Sequence, residues 1–143
     1  MNRRILKTVG IAAALSLALA AVALAGGVTL KAVSGKIGSS SATIVVNGKG
    51  RAVYTLSGDS KSHQECTSGN GCWSAWPPVT VPAGAKATKG SGISGSLSVW
   101  RHGGINQVLL SGHPLYTFSG DNAAHVANGN GLNSFGGTWS VVR

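Results

Sequence analysis

Three kinds of side chain that can do chemistry recur in this chain in the same order. Tyr54, Asp59 and His63 are followed by Tyr116, Asp121 and His125, each 62 positions after its counterpart. Imidazole and carboxylate both ligate divalent metals. Two Asp-x-x-x-His sets facing one another could hold an ion through His63 and His125. With the tyrosines, they could serve a metal- or haem-binding accessory of redox chemistry. The same spacing has a structural reading. In Ser-Gly-Asp, which closes both stretches, Gly admits backbone angles that other residues resist. Asp accepts hydrogen bonds from the amides of the loop that follows. For Tyr54, Asp59, Tyr116 and Asp121 the structural reading leads, with no cofactor; divalent metal or haem is the alternative.

No catalytic constellation accompanies these groups, and the expectation is that the protein is not an enzyme. The acids number three, Asp59, Glu65 and Asp121, too few for the usual carboxylate pairs flanking a scissile bond. There is no GxSxG elbow for a hydrolase, no phosphate loop and no zinc-protease motif. His102 lies in a His-Gly-Gly turn without an evident partner. His113 precedes Pro114 at a turn and is read as a turn residue or a ligand contact.

Tryptophan occurs at 73, 76, 100 and 139. Trp76-Pro77-Pro78 is stiff and extended, because Pro fixes φ and restricts the residue before it. Trp76 is therefore a core anchor or, with His113, part of an exposed platform for a ligand or sugar. Asn128-Gly129-Asn130-Gly131 is a plain turn or a set of amides offered to an anion. Cys66 and Cys72 should pair in an exported chain. Closing so short a loop contributes about 2 kcal/mol by the chain-entropy argument, and a redox role would call for a closer CxxC spacing.

The elements that must position these groups are short strands. Gly accounts for 22 residues, without a period. The glycines separate β-branched or aromatic runs at 28–33, 43–46, 51–56, 98–101, 107–110, 115–118 and 138–142. Asn47-Gly48 between two such runs signals a hairpin, both residues accepting positive φ. No stretch after residue 25 keeps a helical period. The expected fold is all-β: a small antiparallel domain of two related repeat units, preceded by an N-terminal signal helix. The division is 1–25 signal peptide, 26–46 N-terminal strands and linker (the linker at 34–41), 47–81 first repeat, 82–97 flexible connection and 98–143 second repeat.

The leader reading rests on Arg3, Arg4 and Lys7, an uncharged apolar run and a small-x-small end at Ala23-Leu24-Ala25. The run is long enough that an uncleaved anchor is the alternative. Cleavage predicts a secreted or periplasmic protein with no stable membrane anchor. Of 12 Lys and Arg, the nine beyond the leader are scattered singly. That excludes the clustered groove of a nucleic-acid binder. It fits a solvated basic surface drawn to an envelope partner or an anionic envelope polymer.

Tyr54-Thr-Leu-Ser-Gly-Asp59 and Tyr116-Thr-Phe-Ser-Gly-Asp121 resemble the repeat of the bacterial secreted-repeat, predicted-lipoprotein family, with its Yx(FWY)xxD motif. Cys66, Cys72 and Trp76-Pro77-Pro78 are similar to that family's first repeat. Gly112-His113-Pro114-Leu115-Tyr116, Gly131-Leu132-Asn133 and Phe135-Gly136-Gly137-Thr138-Trp139 are similar to its second. Leu56 stands where the motif has an aromatic, and no lipid-attachment cysteine lies near Ala25. The resemblance covers residues 47–142. It implies an exported envelope protein of unknown function, and His63 and His125 are not part of its motif.

Overall fold

Glycine-bearing turns of two residues decide which strands become neighbours. The computed structural model describes residues 27–143; the predicted leader lies outside the described residues. The elements are β1 (Thr29–Ile37), β2 (Ser40–Val46), β3 (Tyr54–Leu56), a single helical turn α1 (Cys72–Ala75), β4 (Thr88–Lys89), β5 (Leu97–His102), β6 (Ile105–Leu110), β7 (His113–Pro114), β8 (Asn133–Ser134) and β9 (Gly137–Val141). Hairpins β1–β2, β5–β6, β6–β7 and β8–β9 are antiparallel. Three small sheets run β2-β1-β4, β3-β9-β8 and β5-β6-β7. The all-β expectation of two related units holds, as does the His102-Gly103-Gly104 turn, whose glycines both take positive φ (52° and 78°).

Three local expectations change. Residues 34–41 are not a linker. They form the distal half of the β1–β2 hairpin, Ser34 to Ile37 pairing with Thr43 to Ser40. The small residues hid the strand. Gly35 is buried where a Cβ would strike the Ile44 side chain and the His125 carbonyl, a close approach of the kind that draws glycine into strands. Residues 82–97 are an ordered connection, not a flexible one. Thr88 and Gly90 donate to the carbonyls of Val28 and Leu30 at 2.9 Å each, and Ile93 is buried. The Asn47 turn is built differently from the simple Asn-Gly pattern: Asn47 Oδ1 accepts from the amides of Lys49 and Arg51, and positive φ falls on Gly50.

The two repeats meet at their tyrosines. Tyr54 N–H donates to the Tyr116 carbonyl at 2.8 Å, and Tyr116 N–H returns the bond at 3.0 Å. This reciprocal pair marks an approximate two-fold axis. Outward from it, Tyr116 is bridged to Pro78, and Tyr54 pairs with Val141. Bonds recur on both sides. Ser57 N–H to the Thr138 carbonyl matches Ser119 N–H to the Ala75 carbonyl, and Val45 N–H to the Val142 carbonyl matches Val108 N–H to the Val79 carbonyl. The last strand of each repeat thus lies on the tyrosine strand of the other.

Alternation along these strands separates two cores. One face carries Tyr54, Leu56, Trp76, Tyr116, Trp139 and the Cys66–Cys72 disulfide. The opposite face carries Val45, Val53, Val79, Val108 and Leu115, joined by Leu30 and Ile93. Because the closing strands are exchanged, the sheet β3-β9-β8 draws on both halves, and in either half alone the tyrosine strand loses its neighbours. Residues 27–96 and 97–143 produced separately should each give an unfolded amide spectrum, and mixing them should restore the dispersed spectrum of the intact chain. Independent folding of either half would contradict the exchange.

Candidate functional site

Both copies of the repeated motif face inward. Tyr54 and Tyr116 are fully buried, and Asp59 and Asp121 nearly so. Each tyrosine reaches the aspartate of the other repeat. Tyr116 Oη donates to Asp59 Oδ2 at 2.6 Å, and Tyr54 Oη donates to Asp121 Oδ2 at 2.9 Å. The second oxygen of each carboxylate accepts a loop amide: Glu65 N–H at 2.9 Å on Asp59, and Asn128 N–H at 2.8 Å on Asp121. Gly129 N–H donates in turn to Tyr54 Oη, and the Arg51 guanidinium donates to the Asp121 carbonyl.

The motif glycines serve different ends. Gly58 takes positive φ (83°), as the Ser-Gly-Asp reading expects. A Cβ on Gly120 would instead collide with the Phe118 ring. Phe118 stands where the first repeat has Leu56.

Several expected site residues are placed elsewhere. With both carboxylates committed to tyrosines and amides, the Asp-x-x-x-His ligand sets do not form. His63 is exposed and paired with Glu65 at 2.6 Å. His125 is exposed and held by its backbone, its N–H donating to Gly50 and its carbonyl accepting from Lys36. Among the described residues no group of three His, Cys, Asp or Glu side chains could hold a metal ion. Trp76 is no platform: it is buried, stacked on Trp139 at 3.7 Å and 4° and on Phe118 at 4.3 Å. Its edge contact from Tyr54 is matched by that of Tyr116 on Trp139. His113 is exposed at the start of β7, remote in sequence and burial from Trp76. The Asn-Gly-Asn-Gly turn gives its first amides to Asp121 and Tyr54, and Asn130 Oδ1 accepts from Val141, so it serves the clamp and not an external anion.

Two surface features went unread in the sequence. The first is an aromatic ledge. Trp100 stacks on His102 at 3.6 Å, and Trp73 meets the same imidazole edge-on at 5.9 Å. Buried Gln107 gives its amide N–H to the Leu115 carbonyl at 3.0 Å, which turns its Oε1 to His102 Nε2 at 2.8 Å. His102 therefore carries its proton on Nε2. A lone polar residue in the run Gln107-Val108-Leu109-Leu110 is the signal that could have pointed there. The second feature is a cleft of about 710 Å³ between the start of β1, the Asn47 turn and the Pro78 strand, with Thr29, Lys31, Lys49, Thr80 and Thr117 on its walls.

A family model described as a secreted repeat of unknown function matches the chain twice, over residues 37–80 and 97–143. The chain belongs to this family. The first match begins ten residues before the expected repeat boundary at 47, inside the β1–β2 hairpin, and the unmatched stretch between the two corresponds to the connection that carries β4. Comparison with curated proteins and with solved structures gives no match. In this chain the repeated tyrosine and aspartate join the two repeats to each other. Among the described residues no helix is long and apolar enough to cross a membrane.

Burial raises all four clamp groups. For Tyr54 and Tyr116, burial comes first and the hydrogen-bonded carboxylate adds to it, so both phenols stay protonated well beyond their ordinary value of 10.0. For Asp59 and Asp121, burial likewise raises the carboxyl above 3.8; the tyrosine hydroxyls and loop amides offset part of that.

A folded-state value raised above the unfolded one stabilises below the unfolded value and loses that stabilisation as the pH rises through the folded one. The tyrosines therefore favour the fold below pH 10.0 and cease to do so above it. These are the chain's only two tyrosines, so phenolate absorbance reports the clamp alone. It should stay absent past pH 10.0 and then appear together with unfolding; early titration of either ring in the folded protein would contradict the geometry. For the aspartates the same sign predicts no loss of melting temperature on acidification from neutral to about pH 4, just above their ordinary 3.8. Tyr54→Phe and Tyr116→Phe each leave a buried carboxylate one donor short and should cost about 1–3 kcal/mol in denaturant unfolding.

Proposed function

We propose that the domain is a non-catalytic binding module working outside the cytoplasm, in the periplasm or cell wall, and that its partner is an anionic polymer of the envelope. The supporting observation is where the charge lies. The nine Lys and Arg from Lys31 to Arg143 are all exposed. Of the three carboxylates, Asp59 and Asp121 are buried in the clamps, and only Glu65 reaches the surface, beside His63. The fold has removed acid from its exterior, and among the described residues no lysine or arginine forms an ion pair. Such a surface attracts polyanions.

The cleft bearing Lys31 and Lys49 is the natural path for a polymer segment. Its lysine ammonium groups and the Thr80 hydroxyl offer donors to phosphate or carboxylate oxygens. The buried catalytic-type groups support the non-catalytic part of the reading. Tyrosine and aspartate are here saturated by each other and shut away from any substrate.

Retention on immobilised polyphosphate and on a carboxylated polysaccharide tests the reading. Binding should be strong in low salt and fall steeply as counterions compete. Lys31→Gln combined with Lys49→Gln should weaken it about three- to tenfold, at a few tenths of a kcal/mol or more per exposed contact. The paired Lys36→Gln and Lys61→Gln, neither of which lines the cleft, should weaken it less. Failure to bind either polymer at low salt would end the proposal, and equal losses from the two pairs would remove the cleft from it.

A further inference from the structure

A pseudo-symmetric molecule carries its own control: an edge sealed in one repeat shows what the equivalent edge of the other lacks. β1 and β5 are the outer strands of the two equivalent hairpins, each closed by a two-residue turn. In β1, Lys36 lies one residue before the closing pair. Its N–H donates to His125 and its carbonyl accepts from Ala127, both at 2.8 Å. Further along, the carbonyls of Val28 and Leu30 accept from Thr88 and Gly90. The outer edge of β1 is thus covered at both ends.

Counted from the closing turn, Arg101 holds the place of Lys36 in β5; by the Val45–Val108 correspondence Val99 and Arg101 match Ala32 and Ser34, which lie between the two covered stretches of β1. The groups that face outward there follow from β6. Val108, opposite Val99, donates its N–H to Val79 and accepts from Leu115, so the Val99–Val108 pair exchanges no bonds between β5 and β6. Strand alternation then turns the N–H and C=O groups of Leu97, Val99 and Arg101 to the outer edge. Among the described residues these groups have no hydrogen-bond partner. Val99 is 39% exposed. Beside it runs a trough of about 200 Å³, lined by Ala85, Lys86, Ala87, Leu97, Ser98 and Val99. An unpaired edge of this kind is a template for another strand.

We propose that β5 pairs antiparallel with β5 of a second copy, about a two-fold axis at Val99. The strand is complementary to itself in that register. Val99 meets Val99 of the second copy and hides the exposed valine. Ser98 meets Trp100, small against large, and Leu97 meets Arg101. The single charge on β5 therefore never faces its own copy, a contact that would be unfavourable across a ladder. A two-fold contact of this kind closes at the dimer and does not propagate. The pairing extends beyond the polymer-binding reading and is independent of it. If both hold, the dimer presents two basic clefts to one polymer.

Sedimentation of the exported protein across a concentration series tests the dimer. Six-residue edges make a small interface, so dissociation constants of about 10 µM to 1 mM are expected. Val99→Pro removes the outward N–H and leaves the β5–β6 bonds intact; Val99→Lys sets like charges on the axis. Both should remain monomeric at about 1 mM with the wild-type amide dispersion. Val99→Cys should also oxidise to a covalent dimer about tenfold faster than Ser98→Cys, since directly opposed residues in a bonded pair lie about 5.5 Å apart, within disulfide reach. The native cysteines are already paired, and no described cysteine is free to compete. A wild-type protein that stays monomeric at that concentration, a dimer that survives both substitutions, or equal cross-linking from 98 and 99 would each overturn the pairing.

Discussion

The molecule depends on two buried hydrogen bonds that cross between its halves, Tyr54 to Asp121 and Tyr116 to Asp59. A buried carboxylate without partners is among the costliest groups a protein can hold. Here each carboxylate receives one phenol from the opposite repeat and one amide from its own following loop. Satisfaction therefore requires both repeats and both loops at once. The reciprocal Tyr54–Tyr116 backbone pair fixes the crossing point, and the Trp76–Trp139 stack sits over it with each tyrosine edge-on to one indole. Such a network is satisfied nearly all or nothing, which favours one arrangement of the two halves over the many ways in which similar β-units could associate.

That arrangement reaches the surface through electrostatics. A chain with few acids has placed most of them inside as hydrogen-bond acceptors. What is left outside is almost uniformly cationic. The basic exterior is thus a consequence of how the interior is joined, and the polymer-binding reading follows from that distribution without any basic run in the sequence.

The duplication was legible before any coordinates, because 62-residue spacing of Tyr, Asp and His is visible in the residues themselves. So were the strand runs around Val45, Val108 and Trp139, and the Cys66–Cys72 pairing. The partner of each motif residue was not legible. Spacing relates Tyr54 to Asp59, and the fold relates Tyr54 to Asp121, because exchanged strands bring together groups that are far apart in sequence. Trp76 is the core anchor that its stiff Trp-Pro-Pro setting suggests, but its stacking partner, Trp139, comes from the other repeat and is not readable from spacing. The Ser- and Gly-rich hairpin at 34–41 was hidden because its strand identity comes from what packs on Gly35 and not from its own side chains.

Symmetry also separates what the fold needs from what it does not. The clamps, the Trp76–Trp139 stack and the exchanged strands occur on both sides of the axis and are explained by stability. The disulfide loop, Trp73, Trp100 and His102 occur on one side only. The position corresponding to Trp73, 63 residues on as Trp139 is from Trp76, is Gly136, and the loop that covers β1 through Val126 has no counterpart over β5. Three of these one-sided features meet at a single strand. The ledge of Trp73, His102 and Trp100 lies on one face of β5, and the open backbone edge runs beside it. Two copies of one ancestral unit under the same folding constraint should decay toward the same solution. A departure that breaks the symmetry, and is concentrated on one edge, is where a constraint other than folding has acted.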